Sequence, residues 1–297
     1  MPKSIEEIRG ALKGPVNSIP TTFARDGAID FAGVGNLVEH GIAGGSSVTL
    51  LTFGDSQLEF ITDLEWVDLT RFVVEQSAGR SLTVAAGRPW NTHLAVEFAH
   101  TCQQIGADVL MLFASEYTRS APDVQLAEFY KSVARVIPTM LVGWPEHRIL
   151  DQISDEPRIC CFKEDGSVEY AVETMRRYGD RWAMLTGGGL WRNYTQWPLG
   201  CRAFMSPWCV LNPRVNDQYY QAMLHNDLKA ASEAITRFDF PLFECAGKYK
   251  GGWQTTWRAM LEVLGIAQRY RRHPMPSAGD ADLESIKSDM RRLSIPG

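Results

Sequence analysis

The six cysteines (Cys102, Cys160, Cys161, Cys201, Cys209 and Cys245) include no CxxC pair and form no regular framework. In a chain of 297 residues this excludes a small disulfide scaffold and reads as reduced, mostly buried thiols of a cytoplasmic protein. Long apolar runs are also missing. Nothing approaches the roughly 20 residues of a membrane-spanning helix, and the opening MPKSIEEIRG is too polar for a signal peptide. Positive charge is not in excess: 30 Lys and Arg stand against 35 Asp and Glu, net −5, so no nucleic-acid or membrane partner is expected. HExxH, GxxxxGK[ST], GxSxG and paired Cys/His spacings are all absent, so neither a metal nor a nucleotide nor any other cofactor is expected. The six histidines are scattered and read as solvent-facing or core hydrogen-bonders.

What is present is an alternation. Eight β-rich runs fall at 16–23, 47–53, 82–87, 108–113, 137–143, 158–163, 181–187 and 201–206. Helical patterns separate them. In AGVGNLVEHGIAGG, Leu37, Val38 and Ile42 share one face and Gly44 and Gly45 suit a C-terminal cap. In DVQLAEFYKSVARV, Leu126, Phe129, Tyr130 and Val133 recur at helical spacing. Strand then helix, repeated eight times, predicts an α/β fold, a closed (β/α)8 TIM barrel. A doubly wound open sheet competes less well, because no strand leads into a GxGxxG turn. The tail reads as helix throughout, which divides the chain into a catalytic barrel at 1–237 and a C-terminal helical appendage at 238–297.

Barrels carry their reactive side chains at the C-terminal ends of strands. That rule selects Thr22, Thr52, Asp55, Arg88, Glu116, Tyr117, Val142, Lys163, Thr186 with Gly187, Gly188 and Gly189, and Ser206. Lys163 ends the sixth run, RICCFK. Strand alternation puts Ile159, Cys161 and Lys163 on one face. If that face looks into the barrel, desolvation favours the neutral, nucleophilic amine that Schiff-base formation requires. The plain alternative is a solvated lysine paired with Glu164 or Asp165.

Four stretches together resemble the dihydrodipicolinate synthase/N-acetylneuraminate lyase family of Schiff-base aldolases and dehydratases. IPTTFARDGAIDFAGVGNLVEHGIAGG resembles the family's first strand, Asp-Gly turn and first helix. LTFGDSQLEF stands where the family has a Gly-Thr-Thr-Gly-Glu loop. IGADVLMLFASEY matches the fourth strand, and CCFKEDGS the strand of the Schiff-base lysine. The resemblance covers nearly the whole chain. It implies that Lys163 forms an iminium with a small 2-keto acid, and that Thr52, Phe53 and adjacent backbone groups hold the substrate carboxylate. It also implies a homo-oligomer, dimer or tetramer.

One departure matters. The family's Leu-Tyr-Asn-x-Pro reads here Leu141-Val142-Gly143-Trp144-Pro145, so the tyrosine that shuttles protons is Val142. Loss of such a group costs about 10²–10⁴-fold in rate. Tyr117, near a second family tyrosine, is a catalytic candidate to replace it, alongside Glu116 and Asp55. Dehydratases of 2-keto-3-deoxy sugar acids resemble the chain better than aldolases do. Those acting on 2-keto-3-deoxyarabonate also lack the strand-five tyrosine, and they share an Arg-His-Pro-Met-Pro stretch like RRHPMP at 271–276. Beyond Thr52 and Phe53, the substrate-binding candidates are Arg88 for a distal carboxylate, Gly187 and Gly188 for close backbone approach, and Ser206. Trp191, Arg192, Tyr194 and Trp197 form an aromatic segment suited to packing, a lid or a subunit contact. The expected activity is dehydration of a 2-keto-3-deoxy sugar acid. A pyruvate-dependent aldolase or synthase and a barrel that binds a keto acid without turnover remain the alternatives.

Overall fold

Each of the eight runs becomes one parallel strand in the computed structural model, which describes residues 2–114 and 120–296. The strands are β1 (Gly14–Ser18), β2 (Val48–Leu50), β3 (Leu82–Ala86), β4 (Val109–Leu112), β5 (Thr139–Gly143), β6 (Ile159–Glu164), β7 (Ala183–Thr186) and β8 (Ala203–Met205). They hydrogen-bond in sequence order and close, β8 returning to β1 with Val16 opposite Met205. Closure leaves no free edge, and the helices cover the outer face. The strands are therefore buried on both sides, which is why they read as continuous apolar runs rather than alternating ones.

Several expected runs extend past the ladder at their C-terminal ends, 16–23 and 47–53 most clearly. The extra residues leave the sheet to build the mouth of the barrel. Thr21 donates its hydroxyl to the Ser56 carbonyl at 2.6 Å, and Ser56 in turn donates to the Ile19 carbonyl at 2.6 Å. In β6 the pairing with β5 shifts between Thr139 and Met140, so Ile159 lies before an irregularity while Cys161 and Lys163 lie beyond it.

The helices obey the expected patterns. Phe31–Ala43 starts on Asp30, which accepts from the Gly33 N–H, and Leu37 and Val38 are buried against the barrel. Asp63–Ser77 opens with a Thr62/Glu65 capping box. In Asp123–Ala134 the residues Leu126, Phe129, Tyr130 and Val133 are all buried.

Helix continues from Leu228 to Gly247 without a break, and position 238 lies inside it. One turn, Ile235–Asp239, is π-helical: the Phe240 N–H reaches back five residues to the Ile235 carbonyl. Pro241 explains the extra residue, since it offers no N–H and its ring would crowd a regular turn. The helix Gly252–Val263 then lies over the C-terminal mouth of the barrel, with Asp280–Arg292 packed against it. No helix among the described residues is long and apolar enough to cross a membrane.

Candidate active site

Lys163 projects from the end of β6 into a cavity of about 250 Å³. Its walls are Thr52, Phe53, Gly54, Asp55, Met111, Phe113, Val142, Asp165 and Met205. Only 7% of Lys163 is exposed, so the inward-face reading of the strand is the observed one. Val142 on β5 and Leu185 on β7 are its ladder neighbours, both without a polar atom in the side chain. Removing an ammonium from water is costly unless it is paired, and here Asp165 supplies the pair. The Lys163 Nζ donates to Asp165 Oδ1 at 2.6 Å.

The two acids after Lys163 have separated tasks. Glu164, on the opposite face of β6, is fully buried outside the barrel lumen. It accepts from Arg192 Nη2 at 2.8 Å and from Gln196 Nε2 at 2.9 Å, and also from the Gly166 N–H. Burial pushes the Glu164 carboxyl above its ordinary value, with Arg192 and Gln196 pulling the other way. Asp165 instead turns inward. Its own N–H donates to the Gly143 carbonyl at 3.2 Å, which ties it to the end of β5. Across the cavity, Gly187 makes room for it: a Cβ at that position would stand 2.1 Å from Asp165 Oδ1 and 3.1 Å from Lys163 Nζ.

Thr52 shapes the turn opposite the lysine. Its hydroxyl accepts from the Asp55 N–H at 2.9 Å, and its N–H donates to Ser56 Oγ at 3.0 Å. Among the described residues the Phe53 and Gly54 amides have no hydrogen-bond partner, which leaves two donors at the cavity wall. Phe53 stacks on Phe113 with ring centroids 5.2 Å apart. This is the turn to which the family resemblance assigned the substrate carboxylate.

A second cavity of about 210 Å³ adjoins the first and shares Asp55 and Met205 with it. Gly188, at φ +86°, and Gly189, at φ +101°, form one wall with Ser206. Phe243, Trp253 and Trp257 from the C-terminal helices form the other. Ser206 is itself occupied, donating to Asn216 Oδ1 at 2.6 Å. The Asp55 carboxylate accepts from Ser18 Oγ and from Gln254 Nε2, both at 2.7 Å. Arg258, fully buried, donates to the carbonyls of Thr21 and Asp55. The helix Gly252–Val263 is thereby fastened to the mouth of the barrel.

Other candidates fall elsewhere. Arg88 does not line either cavity: its guanidinium donates to the Ile61 carbonyl and pairs with Asp63 at 3.3 Å, so the rim-charge alternative is the one observed. Tyr117 and Glu116 lie outside the described residues. The aromatic segment after β7 is a helix, Leu190–Gln196, followed by a short turn. It packs: Arg192 holds Glu164, and Trp197 stacks under Arg202 at 4.3 Å and meets Tyr220 edge-on. Arg272 of the RRHPMP stretch forks onto Glu65 and donates to the carbonyls of Phe60 and Gly27. It braces the loop that follows β2 rather than entering the cavity. Among the described residues no cluster of three metal-liganding side chains occurs.

Sequence reasoning passed over Asp165 as a bland partner, and missed Phe243, Trp253, Gln254 and Trp257. The i, i+4 spacing of Trp253 and Trp257 was a signal, but nothing in it says which element that face meets.

The model of the dihydrodipicolinate synthetase family matches residues 11–293. The chain belongs to that family. It is an enzyme of the lyase class, in a family that works through a lysine Schiff base. A 4-hydroxy-tetrahydrodipicolinate synthase of Sorangium cellulosum is 28% identical, over 95% of this chain and 96% of its own length. A protein named "Probable 5-dehydro-4-deoxyglucarate dehydratase" from Pseudomonas syringae pv. syringae is 23% identical over 96% of this chain and 95% of its own. Among solved structures, dihydrodipicolinate synthase from Oceanobacillus iheyensis superposes with a TM-score of 0.86 at 16% identity, covering 98% of this chain and 99% of that one. N-acetylneuraminate lyase from Mycoplasma synoviae gives 0.83 at 16% identity, covering 96% and 97%. As a member of the dihydrodipicolinate synthetase family, the chain departs from the pattern at Val142, where the ladder sets an isopropyl group beside Lys163.

Proposed function

We propose that this family member is a Schiff-base lyase of a 2-keto acid and that it dehydrates a 2-keto-3-deoxy sugar acid. The observation that carries the reading is the buried Lys163 lining one cavity together with Phe53 and Gly54, whose amides have no hydrogen-bond partner among the described residues. In this reading the amides and Thr52 hold the substrate carboxylate, and Lys163 attacks the adjacent C2 carbonyl. Loss of water gives an iminium, which draws electrons from the C3–H bond. The resulting enamine expels the C4 hydroxyl as water with one added proton, and hydrolysis frees the unsaturated keto acid. The second cavity receives the distal carbons, whose C–H faces suit the aromatic walls of Phe243 and Trp253.

Elimination is preferred to C–C cleavage because Val142 offers no proton for a retro-aldol step. A synthase or aldolase is the second reading, favoured by the 28% identical synthase from Sorangium cellulosum. A barrel that binds a keto acid without turnover is the third. The proposal includes a homo-oligomer, as the family resemblance supports, and a cytoplasmic location, which the six free, buried cysteines support.

The test is borohydride reduction in the presence of pyruvate, read by intact mass and peptide mapping, with Lys163→Ala as control. A reduced pyruvyl adduct on Lys163, absent from the variant, supports the class. Product analysis with sugar acids then separates dehydration from cleavage. No adduct with pyruvate or with longer 2-keto acids removes the lyase reading.

A further inference from the structure

We propose that Asp165 is the proton carrier of this site, the catalytic acid and base that serves the Lys163 Schiff base where the phenol is missing. The inference rests on the Schiff-base reading and deepens it. Three observations converge. Asp165 lines the same cavity as Lys163 and contacts its Nζ at 2.6 Å through Oδ1. Its backbone is fixed by the hydrogen bond to the Gly143 carbonyl, and Gly187 leaves the space its carboxylate fills. Among the described residues, the only other titratable group lining that cavity is Asp55, whose two oxygens already accept from Ser18 and Gln254. Glu164 is on the far side of the strand, and the Tyr170 hydroxyl donates to the Pro145 carbonyl.

The proton count works within the pair. Transfer of one proton from the Lys163 ammonium to the Asp165 carboxylate creates a neutral amine and a neutral acid side by side. The amine forms the N–C2 bond as the C2 carbonyl π bond breaks, and Asp165 protonates that oxygen to give the carbinolamine. A second nitrogen proton passes to the Asp165 carboxylate and on to the departing hydroxyl, so water leaves with two of the ammonium's three protons and the third stays on nitrogen as the protonated iminium. Asp165, now a carboxylate again, removes the C3 proton and hands it to the C4 hydroxyl as that group departs. No oxidant, metal or further reactant is needed. The exchange is local because donor and acceptor are already in hydrogen-bond contact.

The experiment follows adduct formation over time with the full-length protein, pyruvate and borohydride, comparing wild type with Asp165→Asn and Asp165→Ala. The expected result is slowing by at least about 10²-fold in both variants. Formate, small enough to occupy the vacated space, should then accelerate Asp165→Ala but not Asp165→Asn. Asp165→Glu, which keeps the acid on a longer arm, should retain more activity than either. Trapping at the wild-type rate in Asp165→Asn overturns the proposal. So does slowing that neither formate nor glutamate relieves, which would assign Asp165 to shaping the site and not to proton transfer. Absence of an adduct in the wild type itself would remove the Schiff-base reading first, and is thereby distinguished from failure of Asp165.

Discussion

Gly187→Ala is the sharpest probe of the lysine site, because it adds one methyl group and touches the ion pair directly. Gly187 is not among the glycines in the left-handed region, so alanine meets no backbone penalty there. The added Cβ would lie 2.1 Å from Asp165 Oδ1, whereas ordinary contact begins at 3.4 Å. With that Cβ also 3.1 Å from Lys163 Nζ, the carboxylate retreats by about 1.3 Å almost at right angles to the ion pair, and the Oδ1–Nζ separation grows only from 2.6 Å to about 3.1 Å. At an effective dielectric of about 20 that weakens the attraction by about 1 kcal/mol. Asp165 keeps 27% of its side chain in solvent, which trims the expectation to about 0.5–1 kcal/mol. The melting temperature should then fall by only about 1–3 °C. Adduct formation with pyruvate and borohydride should slow by about 2–5-fold, the same energy expressed in the barrier. Differential scanning fluorimetry and timed trapping provide both numbers. Wild-type trapping would refute the reasoning, as would a Tm loss above about 15 °C, which would mean that the backbone and not the pair had moved.

Three other perturbations test the supporting structure. Burial raises the Asp239 carboxyl from 3.8 to about 6, so the folded chain holds a proton that the unfolded chain releases. Its contribution to stability is present below about pH 4 and lost as pH rises towards 6, by up to about 3 kcal/mol. Asp239→Asn should flatten that slope between urea midpoints at pH 4.5 and pH 7, and an unchanged slope would contradict the assignment. Arg272→Ala removes the fork onto Glu65 and the bonds to the Phe60 and Gly27 carbonyls, so it should cost about 2 kcal/mol or more. Because the braced loop carries Thr52, pyruvate trapping should require higher pyruvate concentrations in that variant, and an unchanged half-saturation would refute the link. Trp253→Ala opens the wall of the second cavity and removes stacking on Trp257 at 5.0 Å. Trapping of pyruvate should persist within about twofold, while KM for a six-carbon keto acid should rise about tenfold or more; equal effects on both would mean the cavity does not receive the distal carbons.

The C-terminal helices are part of the site, not an addition to it. Gln254 and Arg258 grip Asp55 from one side while Trp253 and Trp257 wall the second cavity. Asp239, on the π turn that Pro241 imposes, accepts from the Leu190 N–H at 2.9 Å and so fixes the start of the helix after the triple glycine. The helical run from Leu228 to Gly247 therefore connects barrel and tail mechanically.

The barrel was legible in the sequence: eight evenly spaced apolar runs bounded by amphipathic helices call for a parallel sheet covered by helices, and the lack of a GxGxxG turn favours the closed form over the open one. It also pointed to the strand ends for the reactive groups and put Lys163 on one face with Ile159 and Cys161, but which face looked inward it left open. Those are local properties, written in periods of 2 and 3.6 residues. Tertiary structure decided the rest. Arg88 could have faced the cavity or the rim, and the Ile61 carbonyl and Asp63 took it to the rim. Lys163 could have chosen Glu164 or Asp165, and alternation along the strand sent Glu164 outward to Arg192 and Asp165 inward. The tryptophans of Gly252–Val263 met the barrel mouth only because the chain returned across it after some 90 residues, counted from Lys163, and no local pattern encodes such a return.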